Sequence, residues 1–217
     1  MKKVLVMAAA AMLFAAPALA AIQNSAHDLS NANGGSNITE ICVFCHTPHG
    51  ADLTVTDAPL WNRTTVTGLS AVYNSPTLDA APTVASVEAT DAPLCLSCHD
   101  GASIGDALQN PPNTLTAVMN ITATVGTAAD LGLDLSDDHP IGFDYTTVAA
   151  ADGGTDAEID SKANVEGTAG MTGALSYGGG DDMWCSSCHD VHGITGVSTF
   201  LRIANTNSDL CLTCHIK

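Results

Sequence analysis

Hydrophobic and polar positions follow no sustained period along this chain, except at its beginning. Residues 4–20 are almost continuously apolar, follow two lysines, and end in Ala18-Leu19-Ala20. A basic start, a short apolar stretch and a small-x-small end are typical of a bacterial secretory signal peptide, so we predict that residues 1–20 are cleaved. No later stretch is long and apolar enough to cross a bilayer. The remaining residues 21–217 are predicted to form one domain outside the cytoplasm.

The domain itself is punctuated by proline and glycine. Residues 51–94 hold four prolines among many Thr, Val and Ala residues, without the 3.6-residue period that predicts a helix. Residues 115–125 alternate weakly and are rich in Thr, Val and Ile, which favours a short strand. We therefore predict a mostly irregular, loop-rich fold with short α-helices and few short strands.

Four Cys-x-x-Cys-His motifs use all eight cysteines of the chain. This motif attaches a c-type haem: the two thiols bond to the porphyrin vinyl groups, and the histidine ligates the iron. The predicted attachment residues are Cys42, Cys45, Cys95, Cys98, Cys185, Cys188, Cys211 and Cys214, with proximal ligands His46, His99, His189 and His215. The bland alternatives are a zinc protein or a disulfide-stapled secreted protein. Neither explains a histidine after every cysteine pair, and a thioredoxin-like dithiol would stand singly beside a βαβ pattern.

Four further histidines remain: His27, His49, His139 and His192. Eight histidines are the number that bis-histidine ligation of four irons requires, so we predict these four as distal ligands. His49 and His192 each lie three residues after a proximal histidine and cannot reach the far face of the same porphyrin. We expect them to ligate neighbouring haems, although the sequence does not say which histidine serves which iron. Methionine is the alternative sixth ligand and would raise the potential.

Composition and charge add two expectations. Only 4% of residues are aromatic, so a conventional core would be thin, and four porphyrins would supply the missing apolar bulk. After loss of two signal-peptide lysines, four Lys and Arg residues face 23 Asp and Glu residues, a formal charge of −19. Such an acidic surface argues against nucleic acid and anionic lipid as partners and favours cations and basic proteins.

A six-coordinate iron has no open position for a substrate, so the ligand count predicts electron transfer and not catalysis. One rival is a monomeric periplasmic tetrahaem shuttle with the same haems. Another is a multihaem reductase, which would have one high-spin haem and one idle histidine.

The chain resembles the tetrahaem outer-surface cytochromes of metal-reducing bacteria, of the OmcE type. The resemblance rests on residues 25–29, 42–50, 138–142, 184–193 and 211–215, and it does not extend to 51–94 or 143–183.

The resemblance implies that the protein is secreted through the periplasm and polymerises at the cell surface. Such filaments carry a continuous haem chain that conducts electrons to other cytochromes or extracellular acceptors. It further implies that His49 ligates a haem of the adjacent subunit, for which we expect the last haem, held by Cys211, Cys214 and His215.

Overall fold

The computed structural model describes most of the chain beyond the predicted signal peptide. The described residues are 22–31, 40–55, 58–102, 104, 108–111, 125–126, 128–151, 158–193, 197 and 200–216. The predicted signal peptide (1–20) and nearly all of the predicted strand (115–125) lie outside them. Within the described ranges, no helix has the length and apolar character needed to cross a membrane.

Short helices alternate with long loops. The α-helices are α1 (Val84–Glu88), α2 (Ala92–His99), α3 (Tyr145–Ala151), α4 (Lys162–Gly167), α5 (Cys185–Cys188) and α6 (Asp209–Cys214). In the described ranges, 3₁₀ segments cover Leu29–Asn31, Ile41–Phe44 and Thr206–Ser208. All four Cys-x-x-Cys-His motifs coincide with helical segments, because one helical turn brings two cysteines three residues apart to the same side. The loop-rich fold predicted from the sequence is confirmed.

The strands are minimal and tie distant segments together. β1 (Ala71–Val72) runs parallel to β2 (Asp134–Leu135), with Ala71 opposite Asp134. β3 (Phe143–Asp144) runs antiparallel to β4 (Asp182–Met183), with Phe143 opposite Met183. The second pair positions Trp184 and α5 beside the loop that follows His139.

Residues 51–94, where no hydrophobic period indicates a helix, contain helix α1 and the start of α2. Helix α1 forms there because its start is closed by a reciprocal cap: the Thr83 side chain accepts from the Ser86 amide at 3.0 Å, and the Ser86 hydroxyl accepts from the Thr83 amide at 2.8 Å. Val87 then buries all but 1% of its surface. This helix is five residues long and is stabilised by a cap and one buried contact. A helix of this length is too short to show a hydrophobic period.

The apolar interior is divided into three small clusters, each in contact with motif cysteines. One cluster centres on Tyr145 and Leu175 and packs against Cys214. A second centres on Phe44 and packs against Cys45 and Cys98. The third contacts Cys185 and consists of Leu69, Val87, Ala92, Leu96 and Leu135. Among the described residues, each apolar cluster therefore lies against at least one attachment site.

The loops after the first and third motifs have the same backbone pattern. After the first, the Thr47 amide donates to the Leu60 carbonyl (2.9 Å) and the Asn62 amide to the Cys45 carbonyl (2.8 Å). After the third, the Asp190 amide donates to the Phe200 carbonyl (2.7 Å) and the Arg202 amide to the Cys188 carbonyl (2.9 Å).

The match extends to backbone dihedrals and bridges. Leu60 (φ 54°) and Phe200 (φ 55°) share a left-handed conformation that is rare outside glycine. In each loop, the proximal histidine forms an isolated β-bridge with the residue that follows the left-handed one. These bridges join His46 to Trp61 and His189 to Leu201. We call these two loops the equivalent loops; they show that the two halves of the chain are structurally related.

Candidate haem-binding sites

The four motifs lie in space in the order of the sequence. Cys45 of the first motif and Cys98 of the second pack against the same apolar cluster around Phe44. The Cys95 and Cys185 sulfurs of the second and third motifs lie within 4.8 Å of each other. Cys188 of the third lies near both cysteines of the fourth. The attachment sites therefore form one continuous series.

Three pairs of the predicted proximal and distal histidines face each other. The ring centres are 6.1 Å apart for His46 and His192, 6.2 Å for His99 and His27, and 6.3 Å for His215 and His139. Imidazole nitrogens bind first-row metals at about 2 Å, so two rings that share one metal hold their centres a little over about 6 Å apart. The three pairs thus fit a metal ion between them.

Backbone carbonyls hold several of these rings by Nδ1, which leaves Nε2 free. The Nδ1 atom of His46 donates to Pro59 O at 2.6 Å, and that of His99 to Ala129 O at 2.7 Å. His139 donates to the carbonyl of its own neighbour, Pro140, at 2.9 Å. Because a carbonyl only accepts, each of these rings carries its proton on Nδ1 and presents an unprotonated Nε2 to a metal.

His27 is carried by a compact turn on the loop after the third motif. The buried Asp28 carboxylate accepts from the amides of Asn24 (2.7 Å) and Ser30 (3.2 Å). Its pKa is lowered chiefly by the hydrogen bond from the Ser30 hydroxyl and next by the bond from the Asn24 amide. The His27 ring stacks on Phe200 with centres 4.2 Å apart. Burial lowers the pKa of His27, which keeps the imidazole neutral, the form that binds a metal.

The second cysteine of each motif has a partly buried thiol with a raised pKa, whereas Cys42 and Cys211, the first cysteines of two motifs, are exposed. Desolvation raises the pKa of Cys45 to about 12 and that of Cys188 to about 11, and burial also raises the pKa of Cys98 and Cys214.

One three-ligand cluster bears on the zinc alternative. Asp91, Cys95 and Cys185 have ligand atoms within 4.8 Å of one another. Structural zinc takes four ligands, and the Asp91 carboxylate already accepts from the amides of Cys185 (3.0 Å) and Ser186 (2.9 Å). The cluster is therefore better described as the junction of the second and third motifs.

Asp91 had no role in the sequence analysis, because nothing local marks it. It precedes α2, which carries the second motif, yet its side chain is bonded to the first amides of α5, which carries the third. A lone aspartate 94 residues from its partner gives no pattern to detect.

Replacing Asp91 with alanine should destabilise this junction. Asp91 is 9% exposed, and the change leaves two backbone N–H groups without acceptors, at a cost of about 1 to 3 kcal/mol each in the free energy of unfolding. Chemical denaturation of the haem-loaded protein measures it, with the exposed Asp79→Ala as control. Equal stability of the two variants would contradict the assigned role.

The remaining two predicted ligands, His49 and His189, are both exposed. Within the described part of the chain, neither ring faces another imidazole. The structure also places His139 opposite His215, the histidine of the last motif, where we had expected His49 of an adjacent subunit.

Comparison with known proteins addresses the motifs. No curated protein sequence matches this chain. The family model described as the doubled CXXCH motif matches residues 178–217, which contain the third and fourth motifs. This match points to covalently attached haem c and to electron transfer, rather than to an enzyme. Residues 178–217 thus carry the doubled motif that indicates a multihaem c-type cytochrome.

Proposed function

We propose that this protein is a secreted tetrahaem cytochrome c that polymerises into an extracellular, electron-conducting filament. The eight cysteines would hold four haems, and the eight histidines would ligate the irons in pairs. The observation that carries the proposal is that three histidine pairs lie 6.1 to 6.3 Å apart, while His49 and His189 remain. One exposed histidine of each subunit could then pair with the other exposed histidine of the next subunit, which would link identical chains.

The haem supplies an iron that alternates between the ferric and ferrous states. The protein's part is to hold two imidazoles on each iron, which leaves no position for a substrate. Carbonyl-bonded rings such as those of His46 and His99 are pre-oriented, so little rearrangement accompanies a change of charge. This favours electron transfer over catalysis.

The equivalent loops support an assembly by repetition. His27 lies before the first motif and faces His99 of the second, as His139 lies before the third motif and faces His215 of the fourth. His192, on the second equivalent loop, faces His46 in the first half of the chain. The corresponding residue on the first equivalent loop is His49, and the corresponding target is His189.

We therefore propose that His49 ligates the third haem of the next subunit, and not the last. The contact between the two halves of one chain is then repeated between chains. Such a head-to-tail contact does not close on itself, and it generates a filament.

Ligation between subunits also addresses the charge. After loss of the signal peptide, each subunit carries four Lys and Arg residues against 23 Asp and Glu residues, a formal charge of −19, and the subunits repel one another. The repulsion weakens as salt shortens the screening length to about 8 Å at physiological ionic strength. A coordinate bond at each joint can offset the remaining repulsion. Basic cytochromes and extracellular acceptors are the expected electron partners, and no nucleic acid is expected.

Electron paramagnetic resonance should separate the haems by the angle between their imidazole planes. The His46 and His192 rings are nearly parallel (14°), whereas the other two pairs are nearly perpendicular (74° and 73°). Perpendicular rings act equally on two iron d orbitals and leave them close in energy, so the g values spread widely.

We expect the oxidised protein to show two classes of low-spin signal. The widely spread class should disappear in part when His27 is replaced, and the narrower class should change when His192 is replaced. A high-spin signal in the intact filament would contradict full bis-histidine ligation and favour a reductase.

Electron microscopy of sheared extracellular material tests the function as a whole. Filaments that contain this chain, are retained by a large cut-off membrane and stain for haem are the expected result. A protein that passes the membrane as monomers with four low-spin haems would be a periplasmic shuttle, and the filament proposal would be wrong.

A further inference from the structure

Among the described residues, two that lie close together in the sequence carry buried donors without an acceptor. These donors are Nε1 of Trp61 and both Nε and Nη1 of Arg63. Arg63 is 1% exposed, and its third nitrogen, Nη2, donates to the carbonyls of Ser97, at 3.1 Å, and Ile104. In the described part of the chain, no carboxylate forms an ion pair with this guanidinium. A buried charge without an anion is strongly unfavourable, and buried donors are nearly always satisfied.

These donors lie between the first two haem sites. The Arg63 side chain bonds the carbonyl of Ser97, which precedes Cys98, and its charge partly offsets the rise that burial causes in the pKa of Cys45 and of Cys98. The Trp61 ring meets the His46 ring edge-on, with centres 6.3 Å apart. Anything that satisfies the donors must therefore reach the space beside these two sites.

The second half of the chain provides an internal comparison. Arg202 donates through Nε to the Ser186 carbonyl, at 2.6 Å, and through Nη2 to the Tyr177 hydroxyl. Burial raises the pKa of the Asp182 carboxyl, and a hydrogen bond from the Trp184 side chain partly offsets that rise. In the second half, the chain itself supplies acceptors for Arg202 and Trp184. Around Arg63 it supplies two carbonyls, and the three donors named above have no acceptor among the described residues.

We propose that Trp61 and Arg63 bind a propionate carboxylate of a haem held at one of the first two motifs. A propionate is an anion, it arrives with the cofactor, and it would neutralise the guanidinium while accepting from the indole. Arg63 is then a positioning residue that fixes one porphyrin and raises its potential. The inference rests on haem attachment in the proposed function, and not on polymerisation.

The test uses the haem-loaded protein with carbon-13 in the haem carboxyl groups. Redox-difference infrared spectra report the labelled carboxylate stretches directly. Trp61→Phe removes one donor and keeps the ring, and Arg63→Lys keeps the charge and removes Nε and Nη1. Each should shift one labelled band, while the matched variants Trp184→Phe and Arg202→Lys should leave that band in place.

A redox titration gives an independent readout. Arg63→Gln should shift the midpoint potential of one or both of the first two haems downward, because loss of a nearby positive charge stabilises ferric iron. Lys162→Gln removes the same unit of charge from a side chain paired with Glu166 and Asp181, and should leave those potentials unchanged.

The rival acceptor is Asp106, which lies outside the described residues. If Asp106→Asn reproduces the potential change of Arg63→Gln and the labelled bands stay fixed in the Trp61 and Arg63 variants, the proposal is overturned. If the variants fold poorly, an experimental density map of the wild-type haem-loaded protein provides the test. A propionate beyond hydrogen-bond distance of Trp61 Nε1 and Arg63 Nη1 in that map also overturns the proposal. Low-spin iron throughout with unshifted bands would refute this site alone, whereas vacant iron positions would refute the proposed ligation.

Discussion

His49→Ala should convert filaments into dispersed subunits in which three haems remain low-spin and one becomes high-spin. The change removes an exposed ring that faces no other imidazole among the described residues, so the fold of the single subunit should persist. The lost bond is the coordinate link to the next chain, and without it the acidic subunits repel one another. Filtration should show nearly all of the protein passing a membrane that retains the wild type.

Two controls sharpen this experiment. His192→Ala makes the same change at the corresponding position of the second equivalent loop, and should produce one high-spin haem while filaments persist, because its partner His46 belongs to the same chain. Added imidazole should return the His49→Ala protein to a low-spin spectrum without restoring filaments. If His49→Ala still forms filaments, ligation between subunits through this residue is wrong.

His139→Met should raise the midpoint potential of one haem, the fourth, on the order of 0.1 V. The His139 ring lies 6.3 Å from His215, and a methionine sulfur stabilises ferrous iron relative to a second imidazole; axial ligands as a whole tune haem potentials over about 0.8 V. A single high-potential haem in the series should hold electrons, so conduction along the filament should fall. Spectroelectrochemical titration and the near-infrared band of methionine-ligated ferric haem measure the two effects.

The identity of the affected haem can be checked within the same design. In a Cys211→Ala/Cys214→Ala background, which should lack the fourth haem, His139→Met should change nothing further. If instead the titration of the intact chain is unaffected by His139→Met, then His139 is not the distal ligand, and the earlier expectation of an adjacent-subunit histidine at the last haem returns.

The two experiments also separate the assembly from the cofactor chemistry. His49 and His139 are both exposed histidines, but only His139 faces an imidazole of its own chain. One variant should therefore change the oligomer and the other the potential. Similar phenotypes from both would show that the pairing of rings read from the single chain does not hold in the assembled protein.

The sequence alone determined what is local. Covalent attachment uses five consecutive residues, so each Cys-x-x-Cys-His motif by itself predicts one haem. The family match at residues 178–217 agrees with this prediction for the third and fourth motifs. The loop-rich fold also followed from sequence, because few aromatics and frequent prolines limit regular structure. Helix α1 escaped prediction because one cap and one buried valine decide it.

Only the tertiary structure decided which groups meet. His27 bonds a carbonyl 164 residues away, Asp91 bonds an amide 94 residues away, and Arg63 carries buried donors that have no acceptor among the described residues. Pairing across such distances depends on the path of the intervening loops, which short-range periodicity and residue counts do not encode. The inventory of eight histidines was therefore readable from the sequence, whereas the proximity of His46 to His192, of His99 to His27 and of His215 to His139 required the positions of the folded loops.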